Sequence, residues 1–144
     1  MWQTLIAVLG TLAGVGITNG YQHRAARAAR ADSRRTEGLT ALTTLVEALA
    51  DHRRAMWVRE DLRLRGEDWT AARTESHRTR SAITGPLLKV QLLMPTLATA
   101  AQTATAAAYA LRGHDDETHL AASREAAIRA SDDLVAAAGR HLAA

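Results

Sequence analysis

Residues 39–57 read LTALTTLVEALADHRRAMW, and this stretch decides the fold. Its apolar residues recur every three or four positions, which is the spacing of an amphipathic helix. They are Leu39, Leu42, Leu45, Val46 and Leu49, followed by Met56 and Trp57. Few helix-breaking residues occur around the stretch, so the sequence predicts one helix from about residue 25 to residue 65, with its apolar side packed against other helices.

The composition agrees with a helical protein. The chain has 144 residues, no cysteine, no phenylalanine, three tryptophans and two tyrosines. The absence of cysteine excludes disulfide bonds and thiolate metal sites. A β-rich core favours aromatic and β-branched residues, whereas this chain is rich in alanine, leucine and arginine, which favour helices. The formal charge of +3 is too small to predict nucleic-acid binding by itself.

Glycine and proline divide the rest of the chain into further helices. Gly66 is expected to end the long helix, and Asp68 to cap a second helix over residues 69–94. Gly85-Pro86 predicts either a kink or a break in that second helix. Pro95 suits the first turn of a third helix that extends to Leu111.

Gly113 is expected to terminate the third helix, and the acidic stretch HDDETH (114–119) to begin a last one over residues 116–142. The charge-free run between Lys89 and Arg112 is interpreted as an alanine-rich helix inside a bundle rather than as a membrane span. The predicted body, residues 37–144, is therefore an antiparallel bundle of three or four helices.

The first 22 residues contain no charged side chain and have the length of a membrane-spanning helix. A basic segment, residues 23–36, follows, and cytoplasmic flanks of membrane helices collect such charges. Its arginines are Arg24, Arg27, Arg30, Arg34 and Arg35. The predicted fold class is thus all-α, with an N-terminal single transmembrane helix, a basic juxtamembrane segment at the lipid surface and a cytoplasmic bundle. The predicted localisation is the cell membrane, with the N-terminus outside.

Four glycines in the opening segment are spaced as two G-x-x-x-G motifs. They are Gly10, Gly14, Gly16 and Gly20. Small residues at this spacing let two helices approach closely in lipid, which predicts self-association and a homo-oligomer. The alternative is that glycine is simply common in membrane helices.

The stretch DHRRAMWVREDLRLRGEDW (51–69) is the most unusual part of the body. Continuing the heptad places Met56 in the core and puts Arg53 and Glu60 on neighbouring seam positions, where charges need partners or water. Candidate partners across the turn are Glu75, His77 and Arg80, and Asp61 and Arg65 can pair along the helix at four residues apart. One interpretation is an arginine-rich tip at which Arg53, Trp57 and Trp69 contact a partner protein. The favoured alternative is that both tryptophans cap the core and the charges are solvated.

No constellation for catalysis is found. His114, Asp115, Asp116 and His119 are interpreted as a helix cap, because only two of them share a helix face and a metal site needs more ligands. His52 and His77 lack a nucleophile or a phosphate-binding loop. The sequence therefore predicts no catalytic residue, no metal, no cofactor and no small-molecule substrate.

Several stretches carry a resemblance to a known family. They are MWQTLIAVLGTLAG (1–14), QHRAARAAR (22–30), DHRRAMWVRED (51–61), SHRTRSAITGPLL (76–88) and ATAAAYALRG (104–113). The chain resembles the kil-type, KilB-like plasmid transfer proteins of streptomycetes and other actinobacteria. The resemblance implies membrane association and a role in the spread of conjugative plasmids, and it implies no catalytic residue.

The sequence leads to two main functional hypotheses, and a third alternative is a small membrane-active protein that harms the cell when overproduced. The first is a non-enzymatic, membrane-anchored helical scaffold or adaptor that assembles with itself or with proteins of a transfer complex. The second is a soluble or peripheral helical regulator that binds protein or nucleic acid, with its N-terminal helix packed in its own core. Nucleic acid is the less favoured partner, because the strongest basic cluster adjoins the predicted span and anionic lipid suits it better.

Overall fold

The structure is a computed structural model that describes the backbone of residues 2–143 and the side chains of residues 24–143. Over the described residues it is helical. Its helices are α1 (Trp2–Leu64), α2 (Thr70–Leu93), a short 3₁₀-helix (Pro95–Leu97), α3 (Ala98–Tyr109) and α4 (Glu117–Ala143). The chain divides into two compact units, residues 1–36 and 37–144, and each is described by itself.

Unit 37–144 is a four-helix bundle in which successive helices run in opposite directions. At one end, Glu60 near the end of α1 accepts a hydrogen bond from the backbone N–H of Gly113, in the α3–α4 connection. At the other end, Gly38 lies so close to Met94 that a β-carbon on Gly38 would be 2.9 Å from the Met94 Cγ atom. Short connections between helices produce this alternating arrangement.

The core contains side chains from every helix of the bundle. Leu45 and Leu49 of α1, Ile83 and Val90 of α2, and Leu134 of α4 are fully buried. α3 contributes only small side chains to the core. Its buried residues are Ala101, Ala104, Thr105 and Ala108. The alanine-rich, charge-free run is therefore a bundle helix, as predicted.

Glycine and proline act mostly as expected at the helix ends. Gly66 (φ 71°) and Gly113 (φ 80°) adopt the left-handed conformation that glycine reaches without strain. Pro95 begins the 3₁₀-helix that precedes α3. α2 continues through Pro86, so Gly85-Pro86 does not end the helix.

The prediction of an N-terminal transmembrane helix is wrong. Among the residues that the structure describes, no helix is both long enough and apolar enough to cross a membrane. The physical reason lies in the composition of α1. Polar residues dilute the apolar residues near its start, and arginines follow from Arg24 onward. The predicted all-α fold class is confirmed, but the predicted transmembrane helix is not.

The predicted self-association through Gly10, Gly14, Gly16 and Gly20 concerns residues whose side chains lie outside the described part. Self-association therefore stays a prediction.

Candidate functional site

The basic residues of unit 1–36 form a stripe on α1. Arg24, Arg27, Arg30, Arg34 and Arg35 are all exposed. At 3.6 residues per turn, their spacing places them along one side of the helix. Asp32, the single acidic residue between positions 24 and 36, falls outside that side. We call these five residues the arginine stripe.

In unit 37–144 the polar residues gather at the end of the bundle where α1 meets the α3–α4 connection. Glu60 is only 1% exposed. Its Oε2 atom accepts hydrogen bonds from Arg63 Nε at 2.8 Å and from the Gly113 backbone N–H at 3.2 Å. Its Oε1 atom lies 3.5 Å from Arg59 Nε. A buried carboxylate thus joins α1 to the connection between α3 and α4.

His52 lies one heptad before Arg59 and is also buried, with 1% exposure. Its Nδ1 atom is 3.0 Å from the Thr79 hydroxyl of α2. Its ring meets the Tyr109 ring edge to face, with 5.4 Å between the centroids. Its Nε2 atom is buried and has no hydrogen-bond partner among the described residues.

A cavity of about 150 Å³ opens between these helices. Three arginines line it, Arg59, Arg80 and Arg112, together with His52 and His77. The rest of the lining consists of Met56, Ser76 and Tyr109, so no carboxylate contributes to it. We call this cavity the cationic pocket.

The positive charges of the pocket are only partly compensated. Burial lowers the pKa of Arg59, Glu60 raises it, and Arg112, Arg73 and Arg63 lower it again. Arg59 Nε is buried without a hydrogen bond, and the guanidinium donates only to the Ser76 hydroxyl and to the Met56 sulfur. The Arg80 guanidinium lies 3.9 Å from the centre of the Tyr109 ring.

The structure brings together two of the three predicted partner contacts. The Arg124 guanidinium of α4 lies 5.2 Å from the Trp57 ring centre. Arg53 lies one turn before Trp57. Burial is the main cause that lowers the pKa of Arg53, and the charge of Arg124 lowers it further. Trp69 lies elsewhere, between Arg59 and Arg73. Both tryptophans are half-buried, and their role as partner contacts stays a prediction.

Some predicted local interactions are present. Asp68 accepts a hydrogen bond from the Thr70 backbone N–H, and Asp116 accepts one from that of His119, so both acids act at the starts of helices. Asp61 and Arg65 form an ion pair along α1. Glu75, His77 and Arg80, the candidate partners of Arg53 and Glu60 across the turn, do not form ion pairs with them; Glu60 pairs with Arg63 and Arg59 instead.

Sequence reasoning missed the pocket, although a signal for it was present. Leu45, His52 and Arg59 follow one another at heptad spacing, so the fully buried seam of α1 changes from apolar to polar after Leu49. On α2 the buried side chains also change from apolar to polar, from Ile83 to Thr79. Two polar seams that face each other predict a polar interior at that end of the bundle.

Acid is expected to destabilise the bundle through His52. Burial first, then Arg80 and Arg59, lower the pKa of His52 from 6.5 to about 4. Above pH 6.5 the ring is neutral in both the folded and unfolded states. As the pH falls toward 4, the unfolded state binds a proton that the folded state does not, so the free energy of unfolding falls, by about 2 kcal/mol after allowance for solvent screening.

Urea unfolding of His52→Gln between pH 7 and pH 4 tests this expectation. The variant should lose this part of the pH dependence, whereas His77→Gln, which changes an exposed histidine, should keep it. An unchanged pH dependence in His52→Gln would contradict the assignment.

Comparison with known proteins identifies relatives of the chain. The family described as KilB plasmid transfer protein matches residues 39–142. The chain is also similar to Protein KilB of Streptomyces lividans, with 58% identity over 147 aligned positions that cover 100% of both chains. No solved structure matches the chain.

Proposed function

Because the chain belongs to the KilB plasmid transfer protein family, we propose that it serves conjugative plasmid transfer as a non-enzymatic helical scaffold. In this proposal the arginine stripe attaches the chain to the anionic inner face of the cell membrane, and the bundle binds other proteins of the transfer complex. The observation that carries the attachment is the exposure of all five stripe arginines on one side of α1.

Electrostatics favours lipid as the partner of the stripe. A basic residue near an anionic membrane surface contributes about 1 kcal/mol, so five arginines on one side of a helix are sufficient for peripheral attachment without a span. The long aliphatic stems of arginine also pack at the lipid boundary while the guanidinium groups stay in water.

Exposed apolar side chains on the bundle support protein docking. Leu88 and Leu92 of α2 are 54% and 71% exposed, and their spacing of four residues places them next to each other. Adjacent exposed leucines are typical of surfaces that bind another protein. The family is named for plasmid transfer and not for an enzymatic activity, which agrees with such a role.

Sedimentation of the full chain with lipid vesicles tests the attachment. Vesicles of phosphatidylcholine alone are compared with vesicles that contain phosphatidylglycerol. We expect binding to the anionic vesicles only, weakened by salt, and reduced at least about tenfold when the five stripe arginines are changed to glutamine.

The matched control changes five exposed basic residues of the bundle to glutamine, which alters the net charge by the same amount. They are Arg54, Arg78, Lys89, Arg129 and Arg140. This control should bind vesicles nearly as well as the unchanged chain. Equal losses in both variants, or preferential binding to duplex DNA through the stripe, would contradict the proposal. The stripe variant should also lower plasmid transfer frequency between mycelia.

A further inference from the structure

We propose that the cationic pocket binds a phosphate group, either free phosphate or the phosphate of a small monoester. The pocket is formed by α1, α2, α3 and the α3–α4 connection of unit 37–144, and it shares no residue with the arginine stripe. The inference is independent of membrane attachment.

The first argument is uncompensated charge. Among the described residues, neither Arg80 nor Arg112 has a carboxylate within ion-pair distance. Glu60 pairs with Arg59 through Oε1, at 3.5 Å from Arg59 Nε, and its Oε2 atom accepts hydrogen bonds from Arg63 and the Gly113 backbone N–H, so one carboxylate is shared by two arginines. Three arginines line one cavity, so their positive charges repel each other, and a bound anion relieves that repulsion.

The second argument is the presence of guanidinium groups without hydrogen-bond acceptors. Within the described part of the chain, Arg80 contacts the Tyr109 ring, 3.9 Å from its centre, and makes no hydrogen bond. Arg112 there has neither a hydrogen-bond acceptor nor an ion-pair partner. A bound oxyanion supplies acceptor oxygens to both groups.

The third argument is size and shape. A cavity of about 150 Å³ holds a small oxyanion with some water, whereas pockets for whole drug-sized ligands measure about 300–1,000 Å³. Guanidinium groups bind phosphate through paired hydrogen bonds. Donors from several arginines suit a tetrahedral anion with several acceptor oxygens better than a planar carboxylate with two.

Titration of the full chain with inorganic phosphate, followed by NMR of the histidine ring protons, tests the proposal. We expect saturable binding with a dissociation constant of about 1 mM or lower. Bound anion offsets the effect of Arg80 and Arg59, so the pKa of His52 should rise on binding. The ring-proton signals of His119, which does not line the pocket, should not shift on addition of phosphate. Acetate should bind much more weakly than phosphate.

Two arginine variants make the test specific. Arg112→Gln removes an exposed residue of the pocket and should weaken phosphate binding about tenfold. Arg124→Gln removes an exposed arginine beside Trp57, outside the pocket, and should leave the affinity unchanged. Equal affinities in all three proteins, or no change in the pKa of His52 at high phosphate, would overturn the proposal.

Competition with glycerol 3-phosphate then distinguishes the two sources of the phosphate group. Displacement of phosphate means that the pocket admits an ester on its open side, which assigns the site to a phosphomonoester. Failure to displace it assigns the site to free phosphate. Both results support a phosphate site.

Discussion

Replacement of Leu49 by alanine is expected to lower the free energy of unfolding by about 3 kcal/mol. Leu49 of α1 is fully buried and belongs to the main core, where it packs with residues of α2, α3 and α4. The variant loses the transfer free energy of the removed methyl groups and leaves a cavity. The buried side chains of α3 are three alanines and one threonine, which are too short to fill it. Urea unfolding, followed by the helical circular dichroism signal, measures the change.

The matched control is Leu92→Ala on α2. This leucine is 71% exposed, so the same chemical change should alter the free energy of unfolding by no more than about 0.5 kcal/mol. A loss in Leu49→Ala as small as that of the control would mean that this seam of α1 does not face the core. The packing of the bundle described above would then be incorrect.

The main features of the helices could be predicted from the sequence because local patterns determine them. The three- and four-residue spacing around Leu45 and Leu49 identifies the buried side of α1, and Gly66 and Gly113 mark the helix ends. The continuation of α2 through Pro86 could not be predicted. A kink and a break have similar local signals, and packing on both sides of the proline decides between them.

The transmembrane prediction failed for a different reason. Residues 1–22 have the length of a span and no charge, but they include polar side chains such as Gln3, Thr4 and Asn19. The number of residues fixes only whether a helix can reach across a bilayer. The free energy of insertion is the sum of the transfer free energies of the side chains. Polar side chains make that sum less favourable.

The cationic pocket could be predicted only in part. The heptad identifies His52 and Arg59 as seam residues of α1, but the pocket also needs Ser76 and Tyr109 from other helices. Their approach depends on long-range packing, which a single sequence does not reveal. The partners of Glu60 show the same limit, because the backbone N–H of Gly113 gives no signal in the sequence.

Replacement of Glu60 by alanine is expected to lower the free energy of unfolding by about 3–5 kcal/mol. The change removes the acceptor of the Arg63 guanidinium and of the Gly113 backbone N–H. It also leaves Arg59, which is only 9% exposed, without its nearest negative charge. Glu47→Ala is the matched control, because it removes an exposed glutamate from the same helix and should have little effect. Urea unfolding in phosphate-free buffer measures both variants.

A double variant separates loss of a buried charge pair from loss of packing. In Arg59→Met with Glu60→Met, the buried charges of both residues disappear and their volume is largely kept. Arg63 is partly exposed and can turn toward water. If an uncompensated charge causes the loss in Glu60→Ala, the double variant should be more stable than that single variant. If the double variant is as unstable as Glu60→Ala, the loss comes instead from the hydrogen bond with the Gly113 N–H. Glu60 would then stabilise the bundle by fixing the α3–α4 connection.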